Sequence, residues 1–152
     1  MDKKKVKIVI DSNVFANALF GGKSKEIFKL VDKEVVKLIL SDKIFAEYSA
    51  LIEYPKIKEK VDSLLFYSLL YEIYKKANFF EIQEKFNLCR DEEDNKFLDT
   101  VYSSKADCLI TLDKDLLDLR NEHKEFQVKN HKFKILRPKE FLEFLKSGLN
   151  AL

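Results

Sequence analysis

At 152 residues, 46% of them apolar, the chain is long enough for one domain with a buried core and too apolar to stay disordered. Its 28 basic and 26 acidic side chains leave a net charge of +2, which neither requires nor excludes a nucleic acid, since the placement of the lysines decides that. No apolar run approaches the ~20 residues of a membrane span, and the N-terminal run is too short for a signal peptide. The expectation is a single domain over residues 1–152, located in the cytoplasm, without a membrane partner.

The first element is Val6-Lys7-Ile8-Val9-Ile10, a mostly β-branched run that reads as a strand buried on both faces and stops at Asp11. In open α/β sheets the carboxyl ends of the strands are where ligands bind. Residues 12–20 suit a short helix, stopped by Gly21-Gly22. Ser24 is placed to cap a helix over 25–32, with Ile27, Phe28 and Val31 on its inner face. Residues 35–40 read as a second buried strand. Ser41 or Asp42 then caps a helix in which Ile44, Phe45, Tyr48, Leu51 and Ile52 recur at core spacing, with Glu47 among them. Pro55 ends that helix or its approach.

Residues 57–77 carry the longest helical pattern, with Val61, Leu64, Leu65, Leu69, Ile73 and Tyr74 as its apolar stripe. The aromatics of 64–80 read as core or subunit interface. Residues 79–82 suggest a short strand and 90–95 a charged turn. Phe97, Leu98, Val101 and Tyr102 define the next helix, opened by Asp94. Residues 107–112 form a second apolar strand that ends on an acid, Asp113. A helical turn at Leu116-Leu117, a polar loop over 120–132, a strand over 133–136 and a terminal helix from Pro138 complete the chain. Strands alternate with helices, so the connections are crossovers. The expected fold is a three-layer α/β/α sandwich around a mainly parallel sheet. Cys89 and Cys108 lack disulfide or zinc spacing and read as reduced thiols, while His123 and His131 read as surface residues.

Chemistry rests on five acids: Asp11, Glu47, Asp94, Asp113 and Asp115. Taken singly, each has an ordinary explanation as a cap, a turn former or a solvated helix residue. Together, carboxylates gathered in one cleft repel each other and need a cation, and hard oxygen ligands suit Mg²⁺ or Mn²⁺ better than zinc. Glycine-rich phosphate loops and a GxSxG elbow are absent, which argues against a small-molecule phosphotransferase or a serine hydrolase.

Several stretches, in this order, resemble the PIN domain, closest to its branch of toxins from toxin–antitoxin pairs. They are Val9-Ile10-Asp11-Ser12-Asn13-Val14, Phe45-Ala46-Glu47-Tyr48, residues 90–98, residues 109–117 and residues 134–142. The resemblance implies an α/β/α sandwich and a metal-dependent endoribonuclease acting on single-stranded RNA. It makes Asp11, Glu47, Asp94 and Asp113 the catalytic acids and Asp11, Asp94 and Asp113 ligands of Mg²⁺ or Mn²⁺, with Asp115 serving the metal or only its loop. Asn13 and Thr111 match positions that orient the acids. Glu92-Glu93 departs from the proline and aspartate common in that branch, which leaves a role for Asp91 or Glu93 open. Lys23, Lys25 and Lys114 are candidate RNA contacts. A homodimer and an antitoxin partner are also implied. The alternative is a PIN-like module that binds RNA or protein without cutting.

Overall fold

The structure, a computed structural model, describes residues 4–150. The apolar run before Asp11 forms β1 (Lys7–Ile10), and Ile8, Val9 and Ile10 are wholly buried. β2 (Lys37–Leu40) and β4 (Cys108–Ile110) flank it in parallel. β3 (Asn78–Phe79) adds to β2, and β6 (His131–Leu136) adds to β4, again in parallel. β5 (Glu125–Val128) runs antiparallel to β6 at the edge, so the six-stranded order is β3-β2-β1-β4-β6-β5.

Helices cover the sheet. They are α1 (Ser12–Ala18), α2 (Gly22–Asp32), α3 (Asp42–Ala50), α4 (Pro55–Lys60), α5 (Ser63–Lys76), α6 (Asn95–Ser104), α7 (Lys114–Leu117) and α8 (Pro138–Asn150). None of these helices is long and apolar enough to cross a membrane. The mainly parallel sheet with helices on its faces is the expected α/β/α architecture. Its central strands carry unbroken apolar runs because both of their faces are covered. Each fully buried Ile or Leu there contributes roughly 2–3 kcal/mol.

The strand order positions the site. After β1 the chain moves to β2 and β3 on one side, then returns to β4 on the other. The order therefore reverses between β1 and β4, and a crevice opens at the carboxyl ends of these two strands. The register Ile10↔Ile110 sets Asp11 beside Thr111 at that edge. Backbone bonds from Asp11 N–H to the Ile110 carbonyl (2.9 Å) and from Thr111 N–H to the Leu136 carbonyl (2.9 Å) continue the ladder past the strand ends.

Several local expectations change. Ser24 is not a cap: α2 begins earlier, behind Gly21 at φ 103° and Gly22 at φ 77°, both in the left-handed region that favours glycine. Buried Ser24 instead accepts a hydrogen bond from the Asn17 amide (3.2 Å). Ser41 occupies the cap position of α3 without a capping bond and meets the Thr100 hydroxyl (2.9 Å). Pro55 starts α4 rather than ending a helix, as its fixed φ allows. The long pattern at 57–77 splits at Asp62, whose carboxylate caps α5 by accepting the Leu64 N–H (3.1 Å).

α5 buries Phe66, Leu70 and Ile73, while Leu64, Leu65, Leu69 and Tyr74 of the expected stripe stay exposed. The polar loop at 120–132 contains β5 and half of a hairpin. Val35 precedes its strand and is exposed. His131 is half-buried, with Nε2 2.7 Å from the Ala106 carbonyl. Cys89 and Cys108 are buried free thiols, each pushed up to about 12 by burial.

Candidate metal centre

Asp11 leaves β1 and turns into α1. Its Oδ1 accepts the backbone N–H of Asn13 (3.2 Å) and its Oδ2 accepts the Thr111 hydroxyl (2.7 Å). Burial raises its pKa, the two hydrogen bonds oppose the rise, and repulsion from Asp113 and Glu47 adds to it. Thr111 also accepts the Asp113 N–H (2.9 Å), so one buried hydroxyl fixes the acids leaving both central strands. Asp113 in turn caps α7 by accepting the Asp115 N–H (2.9 Å).

Asp94 comes from a different part of the chain. The 3₁₀ turn Glu92–Asp94 delivers it to the start of α6, where it makes no capping bond. It is 7% exposed. Its Oδ2 is fully buried and has no hydrogen-bond partner among the described residues. Asp94, Asp113 and Asp115 each bring a carboxylate oxygen within 4.8 Å of the others. Burial, then the hydrogen bond and charge of Asp113, then Asp11 and Asp91, push the Asp94 carboxyl up to about 8. A buried carboxylate with one orphaned oxygen, grouped with two further acids, fits a hard divalent cation, which would supply the missing partner and remove the repulsion.

The remaining expected residues sit outside this three-acid group. Glu47, on α3, lies near enough to Asp11 to repel it, yet its carboxylate is engaged by Lys96, which also donates to Glu93 (3.1 Å). Asn13 reaches Asp11 through its backbone, and the residue is otherwise exposed, so the amide does not do the orienting. Asp91 closes its own turn by accepting the Glu93 N–H (3.0 Å).

Lys23 is an exposed partner of Glu26 (3.9 Å). Lys25 lines a mostly apolar groove of about 440 Å³ with Phe15, Leu19, Phe28 and Ile73, not the acidic crevice. Lys114 is exposed between Asp113 and Asp115. Two cations went unnoticed in the sequence. Arg90 approaches Asp115 (3.5 Å) and Asp118 (2.8 Å), and Lys96 pairs with Glu47. Their only sequence signal is position, one on each side of Asp94 in the charged turn.

A mainly parallel α/β/α fold with aspartates converging at its strand-order switch is a scaffold for metal-assisted chemistry on phosphate esters. The chain belongs to the PIN domain family, whose members are generally nucleases: the family profile matches residues 7–115, from β1 to Asp115 and so across Asp11, Glu47, Asp94, Asp113 and Asp115. Over 146 residues it is 36% identical to the uncharacterized protein MJ1680 of Methanocaldococcus jannaschii, with 94% of each chain covered.

Proposed function

We propose that the chain is a metal-dependent endoribonuclease that cleaves single-stranded RNA, acting as the toxin of a toxin–antitoxin pair. The observation that carries this reading is the unpartnered, buried Oδ2 of Asp94 beside Asp113 and Asp115. Asp11, Asp94, Asp113 and Asp115 would hold one or two Mg²⁺ or Mn²⁺ ions. The bound cation would lower the pKa of water and offset charge on the phosphodiester oxygens. Thr111 ties the Asp11 carboxylate to the backbone of Asp113. Glu47 serves from α3 across the crevice. Arg90 and Lys114, exposed beside the acids, hold the RNA backbone through its phosphates.

The partners belong to the same proposal. A homodimer is supported by the outer face of α5, where Leu64, Tyr67, Tyr71 and Tyr74 are exposed together. The groove around Phe15 and Phe28 suits an apolar segment of an antitoxin. Sedimentation equilibrium tests the dimer, and growth arrest on expression tests the toxin reading.

The direct test is calorimetric titration of Mn²⁺ together with cleavage of a labelled single-stranded RNA. Wild type should bind Mn²⁺ and cut, and both Asp11→Asn and Asp94→Asn should cut at least ~100-fold more slowly. Cleavage that survives EDTA, or variants as active as wild type, would overturn the proposal. A wild-type chain that binds RNA but neither binds Mn²⁺ nor cuts would be the binding module instead.

A further inference from the structure

The side chain of Lys96 is only 13% exposed, although it sits within a run of charges. Burying an ammonium costs several kcal/mol unless it is well paired. Lys96 is paired twice, to Glu47 and to Glu93. The two carboxylates are not equivalent. Glu93 is exposed, whereas Glu47 comes from the facing helix and lies close enough to Asp11 to repel it.

The carboxylates that approach within 4.8 Å of one another are those of Asp94, Asp113 and Asp115, and of the expected acids neither Asp11 nor Glu47 belongs to that group. Two divalent ions bound side by side share carboxylates and sit about 3.5–4 Å apart. Glu47 would be the natural further ligand for a second ion beside Asp11, and its charge is already matched by Lys96. The buried Asp94 Oδ2, which has no hydrogen-bond partner among the described residues, is the observation behind the first position.

We infer that Lys96 is a positioning residue that takes the place of a second metal ion: by holding Glu47 it limits the aspartate centre to one tightly bound divalent cation. The inference rests on the metal centre proposed above. Its test is chosen so that the two can fail separately.

Mn²⁺ alone is titrated into the full-length protein by calorimetry, and the electron paramagnetic resonance spectrum is recorded at saturation. Wild type should take up one tight ion and give an uncoupled Mn²⁺ signal. Lys96→Met releases Glu47 and should take up a second ion within ~10-fold of the affinity of the first, with the spin-coupled spectrum of a close Mn²⁺ pair. Lys96→Arg should restore single occupancy.

Glu47→Gln leaves the aspartates intact and should keep one ion with its affinity changed less than ~3-fold. This variant decides the matter if Lys96→Met does not fold. Two tight ions in wild type, a single ion in folded Lys96→Met, or a loss above ~10-fold in Glu47→Gln would each overturn the inference and leave the metal centre standing. A wild-type protein that binds no Mn²⁺ would remove the metal centre itself.

Discussion

Thr111 does more at this site than its chemistry suggests in isolation. Its hydroxyl donates to Asp11 Oδ2 and accepts from the Asp113 backbone, and the residue has no exposed surface. Thr111→Val keeps the shape and removes both bonds. A buried carboxylate oxygen then loses its donor, which costs about 1–3 kcal/mol. Under the proposed function, where Asp11 is a metal ligand, groups that orient such ligands typically tune affinity by 10–100-fold, so RNA cleavage and Mn²⁺ affinity should both fall by roughly that factor, while circular dichroism stays native. A variant with wild-type cleavage would mean that Asp11 needs no orientation.

At this scale the sequence is uneven. Asp11 was legible because buried β1 ends on it; residues 107–112 read as a strand tipped by Asp113, whereas β4 stops at Ile110, Leu112 is exposed and Asp113 caps α7. Asp94 was legible as a helix opener, but its convergence with Asp113 and Asp115 needed either the fold or the family resemblance. Lys96 was not legible at all. A lysine after four acids in five residues reads as solvated, and the carboxylate that buries it lies 49 positions away.

Elements were read correctly where burial leaves one choice and misread where it leaves two. Ile8-Val9-Ile10 of β1 and all of β4 are apolar and buried, and admit no other role. α5 is apolar on most of its circumference, so periodicity could not tell the face of Phe66, Leu70 and Ile73 from that of Leu64, Tyr67 and Tyr71. β5 was missed because its four residues alternate too briefly. Its turn also uses Lys129 at φ 52° in place of the glycine or asparagine that signals a hairpin.

The hairpin and α8 lie beyond the matched span 7–115, and a polar knot ties α8 to the loop that follows α7. Glu140 accepts from Arg120 (2.8 Å), from the Arg137 N–H (2.8 Å) and from Lys124 (3.0 Å). Burial alone would raise its pKa, but these donors outweigh it and bring the carboxyl down to about 2 from an ordinary 4.5. A depressed carboxylate stabilises the fold above its unfolded value and loses that contribution as pH falls towards its folded one. Glu140→Gln should therefore cost about 1–3 kcal/mol in urea unfolding at neutral pH. The difference from wild type should shrink below pH 4.5 and vanish near pH 2, and one that is constant with pH would count against the ion network.

Across the whole molecule, function and stability pull in opposite directions. The parallel order was foreseeable from alternating strands and helices. The reversal between β1 and β4, which gathers the acids, follows from pairing that no local pattern encodes. That gathering should weaken the metal-free protein. Asp94 titrates near its ordinary 3.8 when unfolded and at about 8 when folded, so the folded state resists losing the proton. Below pH 3.8 both states are protonated and there is no penalty. Between 3.8 and about 8 the unfolded chain ionises first, and the penalty grows with pH.

Asp94→Asn removes the charge that carries this penalty. In EDTA at pH 8 the variant should melt above wild type by ~3 °C or more, the equivalent of about 1 kcal/mol in a chain of this size, with the gap closing towards pH 4. Added Mn²⁺ should reverse the order. Wild type gains about 2.7 kcal/mol at a hundredfold excess over its dissociation constant, and the variant, lacking that oxygen, gains much less. Thermal melts of both proteins with and without Mn²⁺ across this pH range decide it. An Asp94→Asn protein that melts below wild type in EDTA at pH 8 would mean that Asp94 is held by structure and not kept for a cation.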